Sequence, residues 1–309
     1  MGIYLLDYLK SVIWAIEVFI LTLLHRHSAD LLQICSTKMH DRDMNLKFTR
    51  ALAKQQDLLH LKQKVIDRME IFSVSKALEE FQHSHRMTDS NRETKLIIEN
   101  VKLCLHSILF VNTVLDRIFS LTHTIFDIHQ DHHLALLDRL WSCLKPNERR
   151  GTWGEIGFQG QDPSTDFRGM GLLGLIQLVY FSSKGDGKTA RGVLLEANHP
   201  RRYYPFAATG INFSAFVVEM ARERRLHERI FRRLERVEID FPVDVEGGPA
   251  SDERLVEVGV NEVHEVYCEV FSTFNDMWVV ADPPNVLSFP PIFSSLKNNI
   301  RGKYVSAVE

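Results

Sequence analysis

The sequence predicts an all-α, multi-helix fold that opens on a hydrophobic, amphipathic helix. Three observations carry the prediction. From Ala51 to about Leu144 apolar residues recur at three- and four-residue steps, the period of helices with one buried face. From Phe167 to Phe181 the chain is apolar nearly all the way round, as a central helix would be. Short clusters of Pro, Gly, Asn and Ser separate these segments and read as loops.

The first element is the apolar run Ile3 to Leu24. Asp7, Lys10 and Glu17 interrupt it, so no uncharged stretch approaches the roughly 20 residues of a spanning helix. A central acidic residue would cost about 2.5–3.5 kcal/mol to insert. No cationic segment precedes the run, as a signal peptide requires. At about 100° per residue, Asp7, Lys10, Ser11, Glu17, Thr22 and His25 share one arc, and most apolar residues fill the remainder. Such a helix either anchors the chain at a membrane interface or lies buried against its own domain. Leu6 stands where N-myristoylation after Gly2 requires Ser or Thr, so that lipid is not expected.

With 309 residues and 45% apolar side chains the protein can build a full core. Its net charge of -3 provides no sequence-wide attraction to nucleic acid, and none is expected as a partner. The four cysteines, Cys35, Cys104, Cys143 and Cys268, form no C-x-x-C pair, which implies a reduced, cytosol-facing protein without a cysteine-held metal.

LAKQQDLLHLKQKVIDRMEIF and ETKLIIENVKLCLHSILFVNTVLDRIFSL are the next helices, and the polar stretch His83–Glu93 between them is a candidate linker. In HQDHH, His129 and His133 would share a helix face as metal ligands do. The H-E-x-x-H form is absent, however, so a solvated helix start before LALLDRLWSCL is expected and no metal. Pro146 ends that helix, and KPNERRGTWGE is a loop. SSKGDGKTARG, a further loop, ends in G-K-T, but Ser182 stands where a phosphate-binding loop needs glycine. ARERRLHERIFRRLERVE reads as a charged, solvated helix face over a buried stripe of Leu226, Ile230 and Leu234, and Asp240–Arg254 as an exposed acidic loop. The expected organisation is an amphipathic helix and linker over 1–45, a helical extension over 46–128, a principal domain over 129–291 and a tail over 292–309.

GMGLLG, Gly169 to Gly174, is a literal G-x-G-x-x-G. A dinucleotide site needs a strand before it, yet QGQDPSTDFR precedes it, a loop leading to a helix cap at Thr165 or Asp166. The glycines then serve close packing or an irregular first turn. Arg168 at the mouth of this helix is either an ion-pair partner for Asp166 or a group meant for a phosphate on another molecule.

These residues resemble the ELMO domain-containing family, whose pattern W-x3-G-F-Q-x3-P-x-T-D-F-R-G-x-G-x-L-G-L-x2-L-x-Y-F is matched here from Trp153 to Phe181. NHPRRYYPFAATGIN, Asn198 to Asn212, is similar to a second family block. The resemblance implies an ELMO-type domain over 129–291, in a short member that activates GTP hydrolysis by Arf and Arf-like small GTPases without being an enzyme in its own right. It implies Arg168 as the catalytic finger, oriented by Asp166, with Thr165, Gln159, Gly169 and Trp153 supporting it or contacting the partner. GTP and magnesium would come with the GTPase, so no cofactor of its own is expected. The resemblance also implies a cytoplasmic protein, peripheral on endoplasmic reticulum, mitochondria or lipid droplets, with residues 1–25 as the membrane contact. The alternative is a non-catalytic ELMO-type adaptor that binds small GTPases or exchange factors in cytoskeletal and engulfment signalling.

Overall fold

The computed structural model describes residues 31–36, 40–56, 58–67, 71–87, 92–236 and 248–308. The amphipathic helix expected over Ile3–Leu24 lies outside them. Among the described residues there are helices and no strands, as the apolar periodicity predicts. The chain divides into two compact units.

The first unit comprises the described residues up to Thr113 and those within 234–253 and 307–308. Helix α1 (Arg42–Lys54) starts where the Asp41 carboxylate accepts a hydrogen bond from the Met44 amide at 2.7 Å, satisfying a donor that no helical carbonyl can reach. Leu59–Lys62 and the π-helical turn Gln63–Asp67 follow, and then α2 (Val74–Ser84), capped by the Ser73 hydroxyl. Phe48 and Phe81 meet in the core, their ring centroids 6.3 Å apart. The long helix α3 (Arg92–His123) contributes Val101, Cys104 and Leu105 to this core. It is long and apolar enough to cross a bilayer, but most of that stretch is buried against protein. Gly248 and Pro249, at the end of the loop expected to be exposed and acidic, are buried instead, because Gly248 adopts φ +49 against the His106 ring.

The second unit comprises Val114–Arg233 and Arg254–Ser306. Its helices are the end of α3, α4 (Asp131–Leu144), α5 (Gly171–Ser183), α6 (Lys188–Ala197), α7 (Phe206–Arg222), most of α8 (His227–Arg236), α9 (Glu253–Ala281) and α10 (Phe289–Lys303). α5 packs against both α4 and α7 and is buried on nearly every side, which matches its all-round apolar sequence. Phe181 of α5 stacks on Phe271 of α9 at 4.6 Å, and Phe206 and Phe213 of α7 close on the same ring at 4.7 and 5.0 Å. Such aromatic pairs add about 0.5–1.5 kcal/mol each beyond area burial.

Two local expectations change. The loop SSKGDGKTARG shrinks to four residues, since α5 runs to Ser183 and α6 begins at Lys188. Its G-K-T therefore stands at a helix start, where the Lys188 amide donates to the Asp186 carboxylate. In α8 the buried residues are His227, Ile230 and Phe231, with Leu226 just before it, whereas Leu234 is half-buried.

Candidate functional site

The D-F-R-G segment does not open α5. Asp162 caps a separate 3-10 turn, Pro163–Gly169, by accepting the Ser164 amide at 2.9 Å, and Pro163 fits the first position because it has no amide hydrogen to satisfy. The cap thus lies three residues before Thr165, the nearer of the two expected positions. Met170 then breaks the helical path, and Gly171 takes φ +52 as the first residue of α5.

Gly171 needs to be glycine for two reasons. Its left-handed backbone disfavours a side chain, and a Cβ would come within 2.6–2.8 Å of the carbonyls of Leu121, Thr122 and Thr124. The unpaired carbonyls at the end of α3 here meet the unpaired amides at the start of α5, and Leu172 N–H donates to Thr124 at 2.8 Å. Gly174 is close to Ile211 of α7, in ordinary contact. Gly169 is exposed, and a Cβ there would meet nothing within 4 Å. Of the three glycines in G-x-G-x-x-G, therefore, only Gly171 is required by close packing, since a Cβ at Gly174 would make ordinary contact and one at Gly169 none.

Phe167 is fully buried and fixes the turn from inside. It sits in a ladder of rings: Phe126 at 5.3 Å and Phe158 at 5.6 Å flank it, Trp153 lies edge-on to Phe158 at 5.8 Å, and Trp141 edge-on to Trp153 at 5.8 Å. Trp153 is half-buried in this ladder, with the Arg150 guanidinium over its ring. His133 stacks on Phe126 at 5.6 Å with its ring buried, so this histidine belongs to the packing at the base of the site.

Arg168, next to Phe167, points the other way and is exposed. Its Nε donates to the Thr165 carbonyl at 2.8 Å. No ion pair joins it to Asp166. Asp166 instead accepts the Gln159 amide on Oδ2 at 2.7 Å, tying the Trp153–Gly160 loop to the 3-10 turn. Burial raises the Asp166 pKa, against the lowering pull of the Gln159 amide and the Arg168 charge. The group in contact with Arg168 is thus the Thr165 carbonyl, and Asp166 acts on Arg168 only through space. The Thr165 hydroxyl donates to the Asp162 carbonyl at 3.0 Å, and the Gln159 side chain is exposed beside this turn.

Several supports lie outside D-F-R-G itself. Gly157 takes φ +82, and a Cβ there would lie 2.2 Å from the Phe206 amide. Its carbonyl accepts Ala208 N–H at 3.1 Å, so the loop caps the start of α7. Asn198 donates to the Glu155 carbonyl at 3.1 Å. Thr152 and Glu155 form a capping box, and Lys145 holds Glu155 at 2.6 Å. The block Asn198–Asn212 thus serves the site by bracing its loop, which its resemblance alone did not reveal.

An all-α domain that presents one exposed arginine on a braced turn within W-x3-G-F-Q…D-F-R-G defines the class. The ELMO/CED-12 family model matches residues 116–293, more than half of the chain, and the protein belongs to the ELMO/CED-12 family. It is similar to ELMO domain-containing protein 2 of Homo sapiens, 30% identical over 207 residues that cover 65% of this chain and 64% of that protein. ELMO domain-containing protein 1 of Mus musculus is 26% identical over 223 residues, covering 65% and 62%. ELMO domain-containing protein B of Dictyostelium discoideum is 47% identical over 100 residues, covering 31% and 34%. The match therefore spans less than two thirds of these relatives' own length. No solved structure matches the chain significantly.

Proposed function

We propose that this protein activates GTP hydrolysis by small GTPases of the Arf and Arf-like type, inserting Arg168 into the partner's active site. The observation that carries this reading is the state of Arg168. Its guanidinium is exposed, is tethered through Nε to the Thr165 carbonyl, and has no carboxylate in ion-pair contact among the described residues. A tethered arginine loses less conformational entropy on docking, and its two terminal nitrogens keep their N–H groups for an anion.

The chemistry suits that arrangement. Hydrolysis of GTP spreads negative charge over the γ-phosphate oxygens, and a guanidinium supplied in trans stabilises it by a factor of about 10³–10⁵ in rate, or roughly 4–7 kcal/mol. GTP, magnesium and the attacking water would come with the GTPase. This chain would supply the arginine, a turn locked by Phe167, and the Gln159 and Gly169 surface beside it.

Single-turnover GTP hydrolysis by a panel of Arf and Arf-like GTPases tests the proposal. Arg168→Ala should remove nearly all stimulation while leaving the melting temperature unchanged. Arg168→Lys should be almost as damaging, because an ammonium cannot reproduce the two-pronged contact. Full stimulation by a folded Arg168→Ala protein would refute it.

A further inference from the structure

The arginine-rich run from Ala221 to Arg236 does more than face solvent. Arg225, Arg229 and Arg232 line an open pocket of about 230 Å³. Arg229 and Arg232 stand three residues apart on α8 and so share a face, and Arg225 reaches in from the turn before that helix. Lys303 and Tyr304 close the pocket from the end of α10. Its two carboxylates, Glu228 and Glu269, are each held by a cation: Glu228 by Arg232 at 2.8 Å, Glu269 by Lys303 at 3.1 Å.

The cations are not all spent on these pairs. Arg229 donates from Nε to Glu262 at 2.9 Å and from Nη1 to the Tyr304 hydroxyl at 3.1 Å, and its Nη2 has no hydrogen-bond partner among the described residues. Arg232 uses one nitrogen on Glu228, and Lys303 one proton on Glu269. Tyr304 donates to Glu269 at 2.6 Å, and burial, reinforced by that hydrogen bond, raises its pKa so that the hydroxyl stays protonated. The lining itself carries four cations, Arg225, Arg229, Arg232 and Lys303, against two carboxylates, Glu228 and Glu269. That is a local positive surplus in a chain whose net charge is -3.

A small polar cavity with unspent N–H donors and surplus positive charge selects a compact anion. It is smaller than the roughly 300–1,000 Å³ cavities that hold drug-sized apolar ligands. Guanidinium forks match the oxygens of a phosphate, to which they can donate in pairs. We propose that this pocket binds a phosphate-bearing anion, either a free phosphorylated compound or the headgroup of an anionic phospholipid. The site is separate from Arg168 and does not depend on the activity proposed for it.

Calorimetric titration of the full chain with inorganic pyrophosphate and with a soluble inositol trisphosphate tests the pocket. A parallel arm measures sedimentation with phosphatidylcholine vesicles, plain or doped with phosphatidylinositol bisphosphate. The informative variant reverses two charges at the rim, Arg232→Glu with Lys303→Glu, whose side chains are 46% and 50% exposed. The wild type should bind a soluble probe saturably, more weakly as salt rises, and the variant at least about tenfold more weakly. Soluble binding alone supports a free phosphorylated ligand, and soluble binding with variant-sensitive capture on doped vesicles supports a headgroup. If the double reversal lowers the melting temperature, Arg232→Gln replaces it, with a loss of about threefold expected. Absence of soluble binding, capture on vesicles alone, or equal binding by the rim variant overturns the proposal.

Discussion

At the scale of single residues, the site depends on three neighbours with different tasks. Phe167 buries its ring, Arg168 turns outward, and Gly171 lets two helix ends meet. Gly171→Ala should cost about 2–4 kcal/mol, because it forces a side chain into left-handed backbone and against three carbonyls. Gly169→Ala, with open space around it, should change stability by no more than about 0.5 kcal/mol. Denaturant unfolding of the two variants measures the contrast, and equal losses would show that the helix junction is not what requires glycine. The sequence pointed to these glycines as a group, but their separate roles depend on what lies opposite each one. Arg168 was legible as a charged residue at the mouth of a buried helix. Its release from Asp166 was not, because the Gln159 amide that captures this carboxylate arrives from a loop seven residues earlier.

At the scale of elements, local chemistry sets where helices start, and packing sets what they bury. Asp41 and Ser73 cap α1 and α2 as short polar residues before apolar runs should. α8 shows the second influence. Its charged sequence reads as a solvated helix, yet His227 at its start is buried and has its pKa lowered to about 3 by desolvation. His264 of α9, ring against Tyr180, is lowered to about 4 for the same reason. In the unfolded chain these histidines take up a proton near pH 6.5. Between that value and their folded pKa values the unfolded state therefore binds more protons, and stability falls as pH drops below about 6.5. Melting temperatures across pH 7 to 5 should show that fall, with a shallower slope for His227→Gln. An unchanged slope would mean that the ring is not held neutral by burial.

At the scale of the whole molecule, the functional reading proposes a GTPase as partner of the arginine turn, and the sequence leaves two places for residues 1–25, a membrane interface or the protein's own domain. If that segment anchors the protein, removing it should move the chain from the membrane fraction to the soluble fraction while its stimulation of GTPase activity in solution stays intact. Equal partitioning of the two forms on fractionation would favour the helix buried against its own domain. The all-α class was legible because helical periodicity is local, written in the spacing of neighbours such as those in ETKLIIENVKLCLHSILF. The site's location was legible because its residues crowd into one segment, Trp153 to Phe181. Of the core helices, α9 carried no singled-out signal and α7 only the family block at its start, since aromatic clusters such as Phe181, Phe206 and Phe271 join residues far apart in the chain. By itself, then, the sequence determined the helical class, the family motif and the arginine to test. Only the tertiary structure decided that Arg168 is tethered to a carbonyl and not spent on Asp166, that the first glycine is free, and that the arginine-rich run lines a pocket. Those outcomes depend on which distant backbone and side-chain groups arrive within a few ångströms, and local spacing does not encode that.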